Sequence, residues 1–271
     1  VGQLVLLGLP IGNLGDISRR ALDALNSGKI FIAEDTRNLK KIFNALHLET
    51  NGKEFLAFFD QSSEKELERC MRELSKGTPV YVVSDAGSAY ISDPGFPLVR
   101  EALRLGHEVD SIPGVTSVMM ALELSGLPPI PFQFHGFLAR KDGDIRTYLS
   151  GLGKGTHIFF ESPNRFKNTV PLLLEIVGEV VLCRELTKMY QSVYRILATD
   201  VEQVEKIPEL GEVVILFNLP DDKEGIEMNA DLVSMAQEVL DSQAKPKKVA
   251  KLIASLLNLE VDKVYQALNR K

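Results

Sequence analysis

Five short segments of this 271-residue sequence bring together the small, acidic and basic residues that binding and catalysis need. Gly8-Leu9-Pro10-Ile11-Gly12-Asn13-Leu14-Gly15 and the longer run from Ser84 to Gly95 are rich in Gly, Ser and Ala. Small side chains let a backbone come close to a ligand and offer it N–H groups. Within the second run, Asp85 and Asp93 are acceptors for hydroxyl or amino donors. The other three segments pair opposite charges: Glu34-Asp35-Thr36-Arg37, Glu161-Ser162-Pro163-Asn164-Arg165 and Arg184-Glu185-Leu186-Thr187-Lys188. A carboxylate so placed can take a proton from a nucleophile, and a neighbouring cation can hold an anion. Taken alone, the first loop reads as a tight Pro/Gly turn. The second divides evenly between a binding loop and a long loop capped by Asx turns.

Several chemistries are excluded by pattern. The glycines of the first loop do not fit G-x-G-x-x-G, and neither G-x-x-x-x-G-K-[ST] nor G-x-S-x-G occurs. Dinucleotide-binding, triphosphatase and acyl-hydrolase fingerprints are therefore absent. His47, His107, His135 and His157 lack ligand spacing, so each is read as a surface or packing residue and no metal site is expected.

These segments sit where strands should end. Leu4–Leu9, Ile30–Ala33, Pro79–Val83, Val109–Ile112, His157–Phe160, Val180–Cys183 and Val213–Phe217 are short apolar runs, read as buried strands. Between them, Leu67, Cys70, Met71 and Leu74 recur with helical period, as do Phe166, Val170, Leu173 and Val177. Asp16 or Ser18 is expected to cap a helix through Leu22 and Leu25. Strands alternating with helices predict an α/β fold, whose ligands bind at the carboxyl ends of the strands. A boundary is expected near Pro113-Gly114, with a second sheet from about Phe132, and another at Leu219-Pro220-Asp221-Asp222. This divides the chain into 1–112, 113–220 and a helical extension over 221–271. In that extension Val249, Leu252, Ile253, Leu256 and Leu257 form one helix, and Val261–Leu268 a second.

With 45% hydrophobic and 25% charged residues, the chain has the composition of a globular protein that buries a full core. No apolar run reaches the roughly 18 residues of a membrane-spanning helix. The sequence opens into Leu4-Val5-Leu6-Leu7 without a basic leader region, and Cys70 and Cys183 have no CxxC partner. A reduced, cytoplasmic setting is expected. The net charge of −6 argues against a nucleic-acid coat protein. It leaves room for local basic surfaces, because phosphate attraction depends on where charge sits. From Arg140 to Arg195 there are nine Lys/Arg against six Asp/Glu, and from Asn229 onward seven against five.

Taken together, PIGNLGDISRRAL (10–22), IAEDTR (32–37), VSDAGSAYISDPGFPLV (83–99), IPGVTSVMMALELSGLP (112–128), FHGFLARK (134–141), FFESPNR (159–165), RELTK (184–188) and GEVVILF (211–217) resemble the tetrapyrrole-methylase superfamily. They resemble most its ribosomal RNA cytidine 2′-O-methyltransferase branch, in the family's order over about 1–219. The resemblance implies two α/β domains, a homodimer, and S-adenosylmethionine held in the cleft between the domains. It places the cofactor against Pro10, Asp85, Ala86, Gly87, Tyr90, Ile91, Thr116 and Ser117, with Phe160, Glu161, Leu186 and Gly211 closing from the second domain. The chemistry implied is in-line displacement of the sulfonium methyl by a ribose 2′-hydroxyl, driven mostly by placement. Base candidates are Glu34, Asp35, Asp93, Glu161 and Glu185. Arg37, Arg140, Lys141, Arg165, Arg184 and Lys188 are candidates for ribosomal RNA.

The sequence departs from that branch on the acceptor side. It has Leu9 where the branch has Thr, and Phe59-Asp60-Gln61-Ser62-Ser63 where the branch is histidine-rich. It has Ser88-Ala89 for Thr-Pro, Asn164 where His is frequent, and Gln191-Ser192 near positions that are acidic in the branch. Two other readings follow: methylation of a small molecule such as a tetrapyrrole, or a cofactor-binding relative without transfer activity.

Overall fold

A computed structural model of the chain describes residues 1–59, 61–90, 95–220, 245–256 and 261–268. Two compact units emerge, Val1–Leu219 and Pro220–Lys271. The first holds two five-stranded sheets.

The first sheet comprises β1 (Gln3–Leu7), β2 (Ile30–Ala33), β3 (Glu54–Ala57), β4 (Val80–Val83) and β5 (Glu108–Ile112), in the order β3-β2-β4-β1-β5. All pairings are parallel. A parallel sheet is covered on both faces, which is why its strands read as continuous apolar runs rather than alternating ones. Successive residues divide between two cores. Leu4, Ile30, Ile32, Val80 and Val82 face α3 (Glu64–Leu74) and α4 (Gly95–Arg104), through Cys70, Met71, Leu74, Leu98 and Ala102. Val5, Leu7, Phe31, Ala33 and Val83 face α1 (Arg19–Ser27) and α2 (Thr36–Ala45), through Ala21, Leu25, Leu39 and Phe43. Ser18, not Asp16, caps α1 by accepting from the Ala21 N–H.

The second sheet is mixed. Its strands are β6 (Phe132–Phe137), β7 (Gly155–Glu161), β8 (Glu179–Arg184), β9 (Ser192–Leu197) and β10 (Val213–Leu219), in the order β6-β7-β10-β8-β9. Only β6 and β7 pair in parallel. One face, with Phe159, Leu182, Ile215 and Phe217, packs on α6 (Asp142–Ser150) and α7 (Phe166–Val177). The other, with Ile158, Val181, Cys183, Val214 and Leu216, packs on Val118, Ala121 and Leu122 of α5 (Ser117–Ser125) and on Ile11 from the first loop. That contact places the first loop beside the second sheet. Burial pushes the Cys70 and Cys183 thiols up to about 12, so neither is a ready nucleophile.

Two differences from the sequence reading have simple causes. The first strand stops at Leu7 because the Gly8 N–H bond to the Ile112 carbonyl is the last rung to β5 and Leu9 then pairs with Gly87 instead. β3 and β9 are edge strands with few fully buried residues, so no long apolar run marks them. In the second unit, α8 (Pro246–Leu256) and α9 (Val261–Leu268) share a small core of Val249, Ala250, Ile253, Ala254 and Val264. Among the described residues no helix is long and apolar enough to cross a membrane.

Candidate active site

The loops after β1, β4 and β5 are locked together by backbone. A Cβ on Gly8 would lie 2.5 Å from the Gly114 nitrogen, so only glycine permits this approach. Leu9 and Gly87 exchange two backbone hydrogen bonds, at 2.8 and 3.1 Å. Gly87 does so at φ +72°, a left-handed conformation that strains any other side chain. The result is a rigid floor under a cleft of about 450 Å³.

Ile11, Ala86 and Ser117 line the cleft from one side. Phe137, Phe160, Glu161, Ser162, Pro163, Leu186, Gly211, Glu212, Val213 and Val214 line it from the second sheet. Six expected cofactor residues thus share one cavity: Ala86, Ser117, Phe160, Glu161, Leu186 and Gly211. Pro10 and Thr116 precede lining residues in the chain, and Gly87 supports the floor through its bridge to Leu9. Tyr90 stands edge-on to Phe96 with centroids 6.0 Å apart. Ile91 and Asp93 lie outside the described residues. Ile11, Phe137 and the Glu212–Val214 stretch were not expected; the exposed aromatic in FHGFLARK was the available signal.

Asp85 faces a neighbouring open depression instead, together with Glu34, Asp35, Thr36, Arg37, Ala57 and Phe59. Asp85 accepts from the Asn38 side chain at 2.8 Å. Asp35 caps α2, accepting from the Arg37 N–H at 2.8 Å and from its guanidinium at 3.0 and 2.7 Å. The guanidinium and N–H of Arg37 hold the Asp35 carboxyl down to about 2, which makes it a weak base at neutral pH.

The second-sheet charges are engaged internally. Glu161 has a fully buried side chain that accepts from the Ser162 N–H (2.7 Å) and the Thr169 hydroxyl (2.8 Å), with Arg165 at 3.4 Å. Arg165 also donates to the Ala139 carbonyl, tying two cleft-side loops together. Burial raises the Glu185 pKa, but Lys188 at 2.8 Å and the Glu212 N–H at 2.9 Å outweigh it and hold the carboxyl below its usual range. Lys188 also reaches Glu212 at 3.2 Å, and its methylenes lie across Gly12.

Arg184, expected among the RNA-holding cations, is placed otherwise. It is 7% exposed and donates to the carbonyls of Leu210 (2.7 Å) and Tyr190 (3.3 Å). Two loop carbonyls at the end of β8 need a donor, and the guanidinium fork supplies it. Arg140 and Lys141, by contrast, are exposed and have no side-chain hydrogen bond or ion pair among the described residues. Among those residues no group of three or more His, Cys, Asp or Glu is placed to hold a metal ion. The Thr187 hydroxyl is buried without a partner among the described residues, and Glu185 and Thr187 both adopt left-handed φ, of 51° and 66°. Backbone held in sparsely populated conformations on both sides of a cleft-lining residue, here Leu186, is a mark of functional sites.

The model of the tetrapyrrole (corrin/porphyrin) methylases matches residues 3–202. The ribosomal RNA small subunit methyltransferase I of Thermotoga maritima is 39% identical over 80% of this chain and 99% of its own length. The protein of that name from Streptococcus pyogenes serotype M1 is 34% identical over 98% of this chain and 94% of its own. Uroporphyrin-III C-methyltransferase from Thermus thermophilus, solved with S-adenosylhomocysteine, has a TM-score of 0.54 at 18% identity, over 80% of this chain and 97% of that one. The chain therefore belongs to the tetrapyrrole methylases and, within them, to the family of ribosomal RNA small subunit methyltransferase I.

Proposed function

We propose that the protein transfers a methyl group from S-adenosylmethionine to the 2′-hydroxyl of a cytidine in small-subunit ribosomal RNA. The observation that carries this reading is the single cleft shared by the loops after β1, β4 and β5 and by the ends of β7, β8 and β10. It supports the reading together with the relatives' name and the S-adenosylhomocysteine in the Thermus thermophilus enzyme.

The residues present fit the donor. A volume of about 450 Å³ lies within the roughly 300–1,000 Å³ of small-molecule sites. Ile11, Phe160, Leu186 and Val213 offer apolar walls to an adenine, and the Ala86 and Gly211 loops bring backbone polar groups. Thr116 and Ser117 open α5 with no side-chain cap on its first N–H groups, which suits a carboxylate. When bound, the donor supplies an electrophilic methyl on a sulfonium. Asp85, Gly87, Pro10, Tyr90 and Ile91 complete the proposed cofactor set.

The chain's contribution is chiefly placement. Asp35 and Glu185 are held well ionised by cations, and the Glu161 oxygens already accept from neighbours. Neither Asp35 nor Glu185 is tuned towards neutrality, where a general base is most effective. Lys188 and the outer face of Arg37 remain candidates to steady phosphate, alongside Arg140 and Lys141. We place the active form as a cytoplasmic homodimer with domains over 1–112 and 113–220. Exposed Met189 (89%), Tyr190 (70%) and Leu210 (70%) offer an apolar patch to a second copy.

The test is transfer of labelled methyl to small ribosomal subunits from cells lacking the modification, followed by nuclease digestion. Label on a cytidine 2′-oxygen is the expected result. Label on a tetrapyrrole, or on no acceptor despite cofactor binding, contradicts it.

A further inference from the structure

Phe137 is 65% exposed, yet it lines the cleft. Its orientation is set by an irregularity in β6. Phe134 pairs with Ile158 and Phe137 with Phe160, so three steps on β6 span two on β7. Gly136, at φ +72°, lies within this bulge. In a regular strand Phe134 and Phe137 would face opposite sides. The extra residue brings both rings to Phe160, at 4.7 and 5.5 Å between centroids. Bulges of this kind re-aim side chains beside active sites. Here one holds a large apolar ring over an open cleft, where water meets most of it.

The cleft grades outward. Ile11, Leu186, Val213 and Val214 are at most 7% exposed and form a permanent apolar wall, whereas Phe137 has most of its surface uncovered. Three and four residues beyond it come Arg140 and Lys141, within roughly 10–14 Å of chain reach. Arg37, Arg165, Arg184 and Lys188 are all engaged by carboxylates or carbonyls. Among the described residues Arg140 and Lys141 meet no such partner.

We propose that Phe137 is the platform on which the base of the acceptor nucleotide stacks, with Arg140 and Lys141 gripping the phosphates beside it. This rests on the reading of the acceptor as RNA. Unstacked bases dock on aromatic rings in single-stranded RNA recognition, and nearby cations supply the salt-dependent part of the affinity. The ring positions the nucleotide whose hydroxyl is methylated and takes no part in bond making.

Phe137→Ala and Phe137→Tyr would be compared with the wild type in three measurements. These are the KM for small ribosomal subunits, quenching of a pyrrolocytidine within short oligocytidylate, and calorimetric affinity for S-adenosylhomocysteine. Loss of one stacked base predicts a KM rise of roughly 5- to 100-fold and loss of quenching in Phe137→Ala. Phe137→Tyr restores both, and S-adenosylhomocysteine affinity stays within about twofold throughout. The exposed ring leaves no internal cavity when truncated, so both variants should melt with the wild type. An equal loss of S-adenosylhomocysteine affinity would make the ring a wall of the donor pocket and overturn the proposal. So would an unchanged KM. A wild type inert on subunits would instead overturn the RNA reading itself.

Discussion

At the end of β2, and beside it at Asp85 after β4, charged side chains remain in water; at the ends of β7 and β8 they are drawn inside. Arg37 has 85% of its side chain exposed while it grips Asp35, and both border an open depression. Arg184 is 7% exposed, and the Glu161 side chain is wholly buried. In sequence the two regions look alike: a carboxylate, one to three uncharged residues, then a cation after a strand. Water distinguishes them. An exposed ion pair contributes little beyond its local cap, because solvent screens it. A buried one has exchanged hydration for fixed partners, and removing either member leaves the other stranded. The second sheet's charges therefore hold the cleft wall in shape, while the first sheet's remain available to solvent and ligands.

The largest effect that would break this contrast is at Arg184. Arg184→Ala strands the Leu210 and Tyr190 carbonyls and should lower unfolding free energy by about 3 kcal/mol in urea melts. Arg37→Ala should leave the urea midpoint where it is. Equal effects would erase the distinction. Glu161→Ala comes next, at about 2 kcal/mol, because the Thr169 hydroxyl and Ser162 N–H lose their acceptor and Arg165 its partner. Methyl transfer should fall with it, since Glu161 and Ser162 form part of the wall.

A smaller, pH-dependent effect belongs to a histidine chain in the second sheet. The Tyr148 hydroxyl lies 2.8 Å from His135 Nδ1, His135 Nε2 lies 2.9 Å from His157 Nδ1, and His157 Nε2 lies 2.8 Å from the Gly153 carbonyl. Because that carbonyl only accepts, the protons fall in one order when both rings are neutral. Burial lowers both histidines below 6.5, and the neighbouring ring adds to the shift of His135. The unfolded chain then binds protons first as pH falls. Stability is complete above about 6.5 and declines below it. Melting curves between pH 7.5 and 5.5 should show this slope, and His157→Gln should flatten it. The smallest effect is at Asp35. Its lowered folded pKa gives stability that is present above 3.8 and is lost as pH falls through about 2. Asp35→Asn should abolish that acid limb by lowering stability slightly above pH 3.8 and matching the wild type in strong acid, with turnover nearly unchanged.

Much of this was legible beforehand. The apolar runs of β1, β2, β4, β7, β8 and β10 announced themselves because both faces of each are buried, and Gly87 marked a tight loop. What escaped the sequence reading depended on distant neighbours. Arg184 looked like a surface cation because nothing local shows that the Leu210 and Tyr190 carbonyls will surround it. Glu161 looked like a free base because Thr169, its partner, is a turn into α7. β9 alternates Val193, Tyr194, Arg195 and Ile196 along a sheet edge, too mixed to signal a buried run. The turn of Phe137 into the cleft needs the β6–β7 register, which only the folded sheet supplies.

The central claim is that the cleft over the Leu9–Gly87 bridge holds the methyl donor, and calorimetry with S-adenosylhomocysteine tests it most directly. The wild type should bind saturably at micromolar or tighter affinity. Gly87→Val, which forces a branched side chain into a left-handed backbone 3.2 Å from Ile11, should weaken binding at least about tenfold while the protein stays folded. No binding by the wild type, or undiminished binding by a folded Gly87→Val, would contradict the account.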